Sequence, residues 1–259
     1  MKHIDTDTIK KAQAVMLEML IEFDKICQKY NLKYWLDSGT LLGAVRHDGF
    51  IPWDDDIDIS MPVEDYNEFT KIAQSELSDG MFLQNKKTDP TFPFDYNKIR
   101  SSKATIIEFH EEGKDVDYHQ GVFVDIFPML CVEKTKNNHI FYQDALASIR
   151  FFSAKNIDHM DTRSFVISSL EKLHLGWDKK EDTSVIYGGE MPDVAGAFDY
   201  EAIFPLKKMK FEQIEFFVPN DCDHYLKELY SKSYMEIPPK EKQTVHAAKM
   251  TIVDSPFKV

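Results

Sequence analysis

The sequence predicts an α+β fold, in which a mixed β-sheet is flanked by helices and followed by a helical accessory region. An amphipathic segment with apolar residues at helical spacing opens the chain over residues 7–30. Strand-like and helix-like runs alternate over residues 33–77, and GVFVDIF at residues 121–127 is the strongest strand signal in the chain. We expect the whole chain of 259 residues to be one unit, with its core at residues 33–130 and the accessory region at 131–259.

The individual elements follow from periodicity and from the residues that interrupt it. Asp5 or Asp7 is expected to cap the first helix, and Gly49 and Pro52 should break the chain before the second strand. After the first helix the predicted elements are, in order, a strand at 33–36, a turn at 37–39, a helix at 40–47, a strand at 57–61, a helix at 63–77, strands at 82–84, 96–100 and 105–109, a loop at 111–120, a strand at 121–127 that ends before Pro128, helices at 138–152 and 163–175, a loop at 187–198, a strand pair or one bent strand at 209–218 and a helix at 221–230.

Composition limits the function classes. The formal net charge is −13 and no long Lys/Arg run is present, so a nucleic acid is not expected as the main partner. Cys27, Cys131 and Cys222 are far apart and odd in number, which argues against a disulfide framework and favours a reducing compartment. The N-terminal residues lack a signal-peptide pattern and no stretch approaches the roughly 20 apolar residues of a membrane span. We therefore expect a cytoplasmic protein with no transmembrane segment, and a peripheral position at the inner membrane face stays open.

Four aspartates occupy five positions at Asp54, Asp55, Asp56 and Asp58. On a strand, side chains two residues apart point to the same face, so Asp56 and Asp58 would project together. Paired carboxylates form a hard oxygen site of the kind that Mg²⁺ or Mn²⁺ prefers. The alternative is a solvated acidic loop. The sequence Ile-Pro-Trp before the run and the apolar residues that alternate through its end favour a partly buried strand.

A lone aspartate, Asp125, interrupts the apolar run GVFVDIF. A buried carboxylate without a partner is costly, so this side chain should either meet a cation or lie at the exposed end of the sheet. It could complete the metal site as a third ligand. A strand-end or hydrogen-bonded aspartate is the alternative reading.

Ser38, Gly39 and Thr40 lie where a strand turns into a helix. Free backbone N–H groups at such a turn can hold a phosphate. Gly39 would let the backbone approach a ligand closely, and Gly43 would let the helix pack tightly. A plain helix cap explains the same residues equally well.

Two pairs of basic residues could face an anionic ligand. Arg46 and His47 follow the small-residue helix, and Lys98 and Arg100 alternate on a predicted strand. The alternative for each pair is a surface position or a salt bridge to the aspartates. Taken together, they would suit a diphosphate.

The C-terminal region offers one more pair, Lys242 and His246. Their spacing of four residues suits one helix face, although Pro238 and Pro239 upstream leave the local structure open. We treat both as candidate substrate-binding residues, while a single histidine is more often structural.

These residues together resemble a known family. The run SGTLLGAVRHDGFIPWDDDIDI, residues 38–59, is similar to the signature of the LicD family of phosphotransferases, a branch of the nucleotidyltransferase superfamily that includes fukutin and fukutin-related protein. Further segments resemble the family in the same order: YNKIR at residues 96–100, GVFVDIFP at 121–128, Phe204 with Pro205, and the region through Pro238, Pro239 and His246.

The resemblance implies a nucleotidyltransferase-like mixed sheet flanked by helices and a role for each matching residue. Ser38 and Gly39 match the phosphate-binding turn. Asp56 and Asp58 match the paired metal-binding acids, and Asp125 matches the third acid. The implied catalytic residues are thus Asp56, Asp58 and Asp125, and Asp54, a further acid often present in this branch, joins them in the implied metal site.

By resemblance, the expected activity is metal-dependent transfer of phosphocholine from CDP-choline to a sugar hydroxyl. The acceptor would be a cell-surface glycan, such as lipopolysaccharide or teichoic acid, or its lipid-linked precursor. One alternative is transfer of ribitol phosphate or mannose phosphate from a CDP- or GDP-linked donor. The other is a non-catalytic relative that binds a nucleotide or a partner protein.

Overall fold

The computed structural model describes residues 4–134, 167–178, 182–188 and 197–253, which form the mixed α and β fold that the sequence predicts. The elements of this part of the chain are α1 (Thr6–Tyr30), β1 (Trp35–Leu36), α2 (Ser38–His47), β2 (Asp58–Pro62), α3 (Val63–Glu76), β3 (Met81–Gln84), β4 (Asn97–Glu108), β5 (Gly121–Glu133), β6 (Thr183–Tyr187), β7 (Ala197–Asp199), α4 (Tyr200–Ile203), β8 (Lys207–Phe211), β9 (Ile214–Val218), α5 (Cys222–Tyr230), the 3₁₀ turn Lys240–Lys242 and β10 (Ala247–Ile252).

Helix α1 confirms the amphipathic pattern. Its N-cap is Asp5, whose side chain accepts a hydrogen bond from the Thr8 N–H at 2.9 Å. The helix ends at Asn31, which adopts a left-handed conformation with φ of 54°. The apolar face is buried and packs on β4, β5 and β10, so α1 covers one side of the sheet.

The main sheet places β2 and β5 side by side as parallel strands, with β1 antiparallel beyond β2 and β4 antiparallel beyond β5. Strands β3 and β10 both pair with β4, and β6 and β7 extend the sheet from the second half of β5. Strands β8 and β9 form a separate hairpin, as the sequence predicts for residues 209–218. Residues after 130 thus contribute several strands in addition to helices.

The expectation that Pro128 ends the strand is wrong, because β5 continues to Glu133. On one side Pro128 stands opposite Met61 of β2. On the other side of β5, the pairing with β4 ends at Ile126 and the pairing with β6 begins at Met129. Pro128 therefore lies where the neighbouring strand changes from β4 to β6. Its missing N–H therefore removes no required ladder bond, and its carbonyl accepts from the Gly188 N–H at 2.8 Å.

Other boundaries also differ from the prediction. The predicted strands at 96–100 and 105–109 form one strand, β4, with a register irregularity between Ser101 and Thr105. Tyr187 and residues 197–198, expected in a loop, belong to β6 and β7. The predicted helix at 138–152 lies outside the described residues, and of the one at 163–175 only residues 167–171 are described as helical.

The largest buried cluster lies between the sheet and the helices on it. It joins residues of α1, α2 and α3 to the inner faces of β2, β4 and β5. Within the described ranges, none of the helices has the length and apolarity required to cross a membrane.

Candidate active site

The centre of the site is a row of three side chains across neighbouring strands. Asp58 of β2 stands opposite Asp125 of β5, and Asp125 stands opposite Lys98 of β4. Residues directly opposite each other on adjacent strands point to the same face, so all three share one face of the sheet. The pairing continues just before β2, where the Ile57 carbonyl accepts from the Asp125 N–H at 2.7 Å. Asp56 leads into this segment and is also buried.

Helix α2 begins beside this row. The Asp58 N–H donates to Thr40 Oγ1 at 2.8 Å, which fixes the first turn of α2 against the start of β2. The helix begins at Ser38 rather than at Thr40, so the predicted turn is shorter than expected. Ser38 has a positive φ of 44° and is 5% exposed. Its hydroxyl has no hydrogen-bond partner among the described residues.

Asp37, the N-cap of α2, is fully buried and joins four segments. Its carboxylate accepts from the Ser38 N–H at 2.7 Å and from the Ser60 hydroxyl of β2. It also accepts from the Tyr187 hydroxyl of β6 and the Tyr225 hydroxyl of α5, each at 2.9 Å. Burial raises the pKa of Asp37, and these donors oppose that shift.

The two glycines of α2 are required for close approaches of different kinds. A Cβ on Gly39 would lie 2.9 Å from Oδ2 of Asp54. A Cβ on Gly43 would lie 2.5 Å from the carbonyl oxygen of Gly49. Gly39 therefore lies against a predicted site acid, whereas Gly43 packs the helix against backbone and does not line the acid row.

The acids carry more negative charge than the nearby cations balance. Burial raises the pKa of Asp58 well above its ordinary value, and the charges of Asp56, Asp125, Asp37 and Asp54 raise it further. Burial, with Asp56 and Asp55, likewise raises the pKa of Asp54. The pKa of Asp125 rises to about 6 because of burial, although Lys98 opposes the shift.

His246 interacts with this cluster from the start of β10. Its Nδ1 lies 3.0 Å from Asp56 Oδ2 and 3.2 Å from Asp55 Oδ1. Burial favours the neutral form of Asp56, but His246 and Lys98 outweigh it and hold the pKa of Asp56 below its ordinary value. The Asp56 charge in turn raises the pKa of His246.

Asp55 is a functional neighbour that the sequence did not assign. Its buried carboxylate accepts from the backbone N–H groups of His246 at 2.9 Å and Ala247 at 2.6 Å. It therefore anchors β10 to the acidic segment and places His246 next to Asp56. The alternation of side chains around Asp56 is the only sequence signal that separates Asp55 from its neighbours.

Lys98 and Arg100 of β4 are both buried. Lys98 is 1% exposed, and its ammonium lies 3.0 Å from Asp125 Oδ1 and 3.6 Å from Glu108 Oε2. It also lies 3.3 Å from the centre of the Phe123 ring. Arg100 donates to Gln84 Oε1 and to the Gly121 carbonyl, both at 2.7 Å. For Lys98 the structure matches the salt-bridge interpretation, and Arg100 holds the far end of the strand pair together.

The other predicted cations lie at the edge of the site. Arg46 donates to the carbonyls of Tyr234 at 2.8 Å and Glu236 at 3.2 Å, and its Nε donates to His47 at 3.0 Å. Lys242 is exposed at the end of the 3₁₀ turn. That turn ends before His246, so the expectation that Lys242 and His246 share a helix face is wrong.

The donor chemistry fits a hard divalent cation. Asp54, Asp56, Asp58 and Asp125 offer carboxylate oxygens, and the raised pKa of Asp58 reflects crowded negative charge that a cation would relieve. Within the described residues, the groups whose ligand atoms all lie within 4.8 Å of one another are Asp55, Asp56 and His246, and Glu108, His110 and Glu111. The trio Asp56, Asp58 and Asp125 is not among these groups, and its role as the metal ligands stays a prediction.

Residues from α5 complete the surroundings. Tyr230 is 41% exposed, and desolvation of its hydroxyl together with the charges of Asp58 and Asp54 raises its pKa. Tyr225 from the same helix contacts Asp37. The sequence indicated neither tyrosine, because their proximity to the acids depends on contacts across more than 160 residues, which leave no local pattern.

Comparison with known proteins decides the family. The model of the family "LicD/FKTN/FKRP, nucleotidyltransferase domain" matches residues 31–171, which is more than half of the chain. The chain belongs to the LicD family. The matched span contains α2, the four aspartates and Asp125, whereas α5 and His246 lie beyond it.

Several known proteins are similar to parts of this chain. The chain is 46% identical over 65 residues to the lipopolysaccharide cholinephosphotransferase LicD of Haemophilus influenzae, an alignment of 25% of this chain and 24% of that protein. It is 37% identical over 51 residues to the human ribitol 5-phosphate transferase FKRP, which covers 20% of this chain and 10% of FKRP. An uncharacterised protein of Rickettsia typhi is 31% identical over 170 residues, 66% of this chain and 48% of that protein. The chain thus spans about half or less of the length of these relatives.

Proposed function

We propose that this chain is a phosphotransferase that moves phosphocholine from CDP-choline to a sugar hydroxyl of a glycan or of its lipid-linked precursor. The observation that carries the proposal is the register of Asp58 with Asp125 on parallel strands beside the first turn of α2. Membership of the LicD family and the similarity to the Haemophilus cholinephosphotransferase support this cargo.

In this proposal Asp56, Asp58 and Asp125 hold Mg²⁺ or Mn²⁺. Asp54 lies close enough for its charge to raise the pKa of Asp58. When bound, the ion neutralises charge on the diphosphate of the donor. The oxygen-only donor set and the excess negative charge around Asp58 support this choice of metal.

The first turn of α2 would bind a donor phosphate. Its N–H groups at Gly39 and Thr40 have no partners within the helix, because the first turn of any helix leaves its amides free. The positive end of the helix dipole favours an anion at the same place. The buried Ser38 hydroxyl, which has no partner among the described residues, offers one more donor.

Asp125 would either hold an ion or, where Asp56 and Asp58 alone hold it, accept the proton from the attacking sugar hydroxyl. In the metal-free protein burial raises the pKa of Asp125 to about 6, so this carboxylate is mostly ionised at neutral pH and can accept a proton. Lys98, 3.0 Å away, would hold the carboxylate in a fixed orientation. The protein supplies positioning and charge, as expected for phosphoryl transfer.

The location of the reaction forms part of the proposal. Cys27, Cys131 and Cys222 are not joined by disulfide bonds, which supports a reducing compartment such as the cytoplasm. A lipid-linked acceptor would then be met at the inner membrane surface, with the protein bound there peripherally.

The alternative cargo is ribitol phosphate, because the chain is also similar to FKRP and to the mouse ribitol-5-phosphate transferase FKTN, 27% identical over 112 residues. Thermal shift with CDP-choline, CDP-ribitol and GDP-mannose, each with Mg²⁺, distinguishes the donors, since a bound donor raises the melting temperature. Release of CMP on addition of a sugar acceptor then tests transfer. A shift with CDP-ribitol alone would replace the phosphocholine proposal, and donor binding without CMP release would favour a non-catalytic relative.

A further inference from the structure

A second cluster of metal-ligating side chains lies at the end of β4, outside the acid row. Glu108, His110 and Glu111 each offer one ligand atom, and these atoms lie within 4.8 Å of one another. His110 Nε2 is 3.9 Å from Glu111 Oε1. The turn that carries them is closed by the Glu111 N–H, which donates to the Glu108 carbonyl at 2.9 Å.

The burial of Glu111 distinguishes this cluster from an ordinary acidic turn. Its side chain is 2% exposed, although surface carboxylates in turns are normally solvated. One oxygen, Oε2, accepts from the Glu108 N–H at 2.9 Å and from Gln120 Nε2 at 3.1 Å. The other, Oε1, is buried on the side of His110 without a hydrogen-bond partner among the described residues, although the Tyr118 hydroxyl lies near enough to the Glu111 carboxylate for that carboxylate to raise the Tyr118 pKa. A buried acceptor of this kind is costly unless a cation or donor meets it.

The charges around the cluster do not balance. Lys98 and Arg100 are the cations next to it, with Lys98 Nζ 3.6 Å and Arg100 Nη2 3.9 Å from Glu108 Oε2. Lys98 is also paired with Asp125. These two cations therefore face three carboxylates, of half-buried Glu108 and of buried Glu111 and Asp125. The positive charges of Lys114 and His246 also act on the turn, where Lys114 lowers the pKa of His110 and His246 lowers that of Glu108.

We propose that Glu108, His110 and Glu111 bind a divalent transition-metal ion of the Zn²⁺ class, at a site separate from the acid row. One imidazole and two carboxylates are ligands that Zn²⁺ accepts, whereas Mg²⁺ prefers oxygen ligands alone. Tetrahedral ligands of Zn²⁺ lie about 3.4 Å apart, so shifts of about 1 Å would bring the three atoms into place. A water would occupy the fourth position.

The position of the cluster suggests what the ion would do. The Phe109 N–H donates to the His246 carbonyl at 2.9 Å, and Glu108 stands opposite Ala247 at the start of β10. An ion that fixes this turn would therefore hold the segment that carries His246 against the sheet. The ion stabilises the setting of His246 and takes no part in the transfer itself.

The experiment measures metal content and affinity on the whole chain after chelator treatment, in excess Mg²⁺, which would occupy the acid row under the proposed function. Co²⁺ is the spectroscopic probe and Zn²⁺ the competitor. We expect one Zn²⁺ per chain, a visible Co²⁺ absorption band that Zn²⁺ removes, and a higher melting temperature with Zn²⁺. His110→Gln should weaken binding by at least about tenfold, because it removes a ligand. His110 is 42% exposed, so this variant should fold.

Two matched variants decide where an observed ion binds. His224→Gln changes a partly exposed histidine on α5, and His246→Gln changes the other cluster identified above. Both should retain the ion while His110→Gln and Glu111→Gln lose it. Retention of full affinity by His110→Gln, loss of the ion in His246→Gln alone, or binding of no Zn²⁺ by the unaltered chain would each overturn the proposal.

Discussion

Asp58 of β2 and Asp125 of β5 stand at the same register position on neighbouring parallel strands and face the same side of the sheet. Burial and the adjacent acids raise the pKa of Asp58 well above its ordinary value. Among the described residues, Lys98 is the only positively charged side chain in an ion pair with Asp125. The arrangement therefore costs folding free energy in the absence of a cation, which is typical of residues retained for function rather than for stability.

Asp58→Asn should remove activity and stabilise the fold. Transfer should fall by about 100-fold or more, because in the proposed function the substitution removes a charged metal ligand from the reaction centre. In metal-free protein the melting temperature should rise by about 2–4 °C, equivalent to about 1 kcal/mol of relieved repulsion. CMP release and differential scanning calorimetry measure the two effects.

The control for Asp58→Asn is Asp48→Asn. Asp48 is exposed at the end of α2 with a φ of 56°, a conformation that asparagine tolerates. It should leave both activity and melting temperature unchanged. Normal turnover in Asp58→Asn would exclude this residue from the chemistry.

The stability of the metal-free protein should depend on the protonation of Asp125. Its pKa is about 6 in the fold against 3.8 in the unfolded chain, so the folded state binds more protons between these values. The contribution of Asp125 protonation to the free energy of unfolding is fully present below pH 3.8 and is lost as the pH rises through 6. From pH 5 to pH 7 the loss should be about 1 kcal/mol.

Urea unfolding in the presence of a chelator measures the pH effect, and Asp125→Asn provides the comparison. The difference in the free energy of unfolding between the unaltered chain and Asp125→Asn should change by about 1 kcal/mol from pH 5 to pH 7. Parallel pH profiles for the two proteins would contradict the raised pKa.

Asp37→Asn should destabilise the protein strongly, although the change is isosteric. The amide cannot accept from all four donors, and its NH₂ group would face the hydroxyls of Ser60, Tyr187 or Tyr225. We expect a loss of about 2–3 kcal/mol in the free energy of unfolding. Tyr187→Phe removes one donor alone and should cost only about 1 kcal/mol. Equal stability of the two variants would argue against Asp37 as the centre of this network.

The two glycines of α2 should respond differently to alanine. Gly43→Ala forces a Cβ to within 2.5 Å of the Gly49 carbonyl and should cost about 1–3 kcal/mol. Gly39→Ala meets only the flexible end of Asp54, at 2.9 Å, and should leave the melting temperature nearly unchanged while it displaces that carboxylate. CMP release should therefore fall in Gly39→Ala without loss of stability. A destabilised Gly39→Ala would show that the Asp54 side chain has no room to move.

The local parts of the fold and of the site could be predicted from the sequence. The helix at α1 follows from apolar periodicity and from the cap at Asp5, and the acids at Asp58 and Asp125 stand out because each interrupts an apolar strand. These signals are contained within a few residues. The same holds for the hairpin of β8 and β9, whose bounds match the prediction closely.

The remaining features depend on which distant segments meet. Pro128 is expected to end a strand because it has no N–H to donate. Strand β5 continues through it because its neighbouring strand changes there from β4 to β6. Lys98 had the pattern of a ligand-binding cation, whereas its position opposite Asp125 buries it in an ion pair. The alternation of side chains sets Asp55 apart from Asp56, but its role became clear only from its two N–H partners, His246 and Ala247, about 190 residues later in the chain.

The carboxylate of Asp37 joins segments that lie as far as 188 residues apart along the polypeptide. During synthesis this junction cannot close until the last third of the chain has emerged and packed against the first. A fragment that ends before Tyr187 would contain the whole acidic motif, but Asp37, the N-cap of α2, would lack its hydrogen bonds from the Tyr187 and Tyr225 hydroxyls. Recognising the motif in a shortened gene product is therefore no guarantee of a competent catalytic centre.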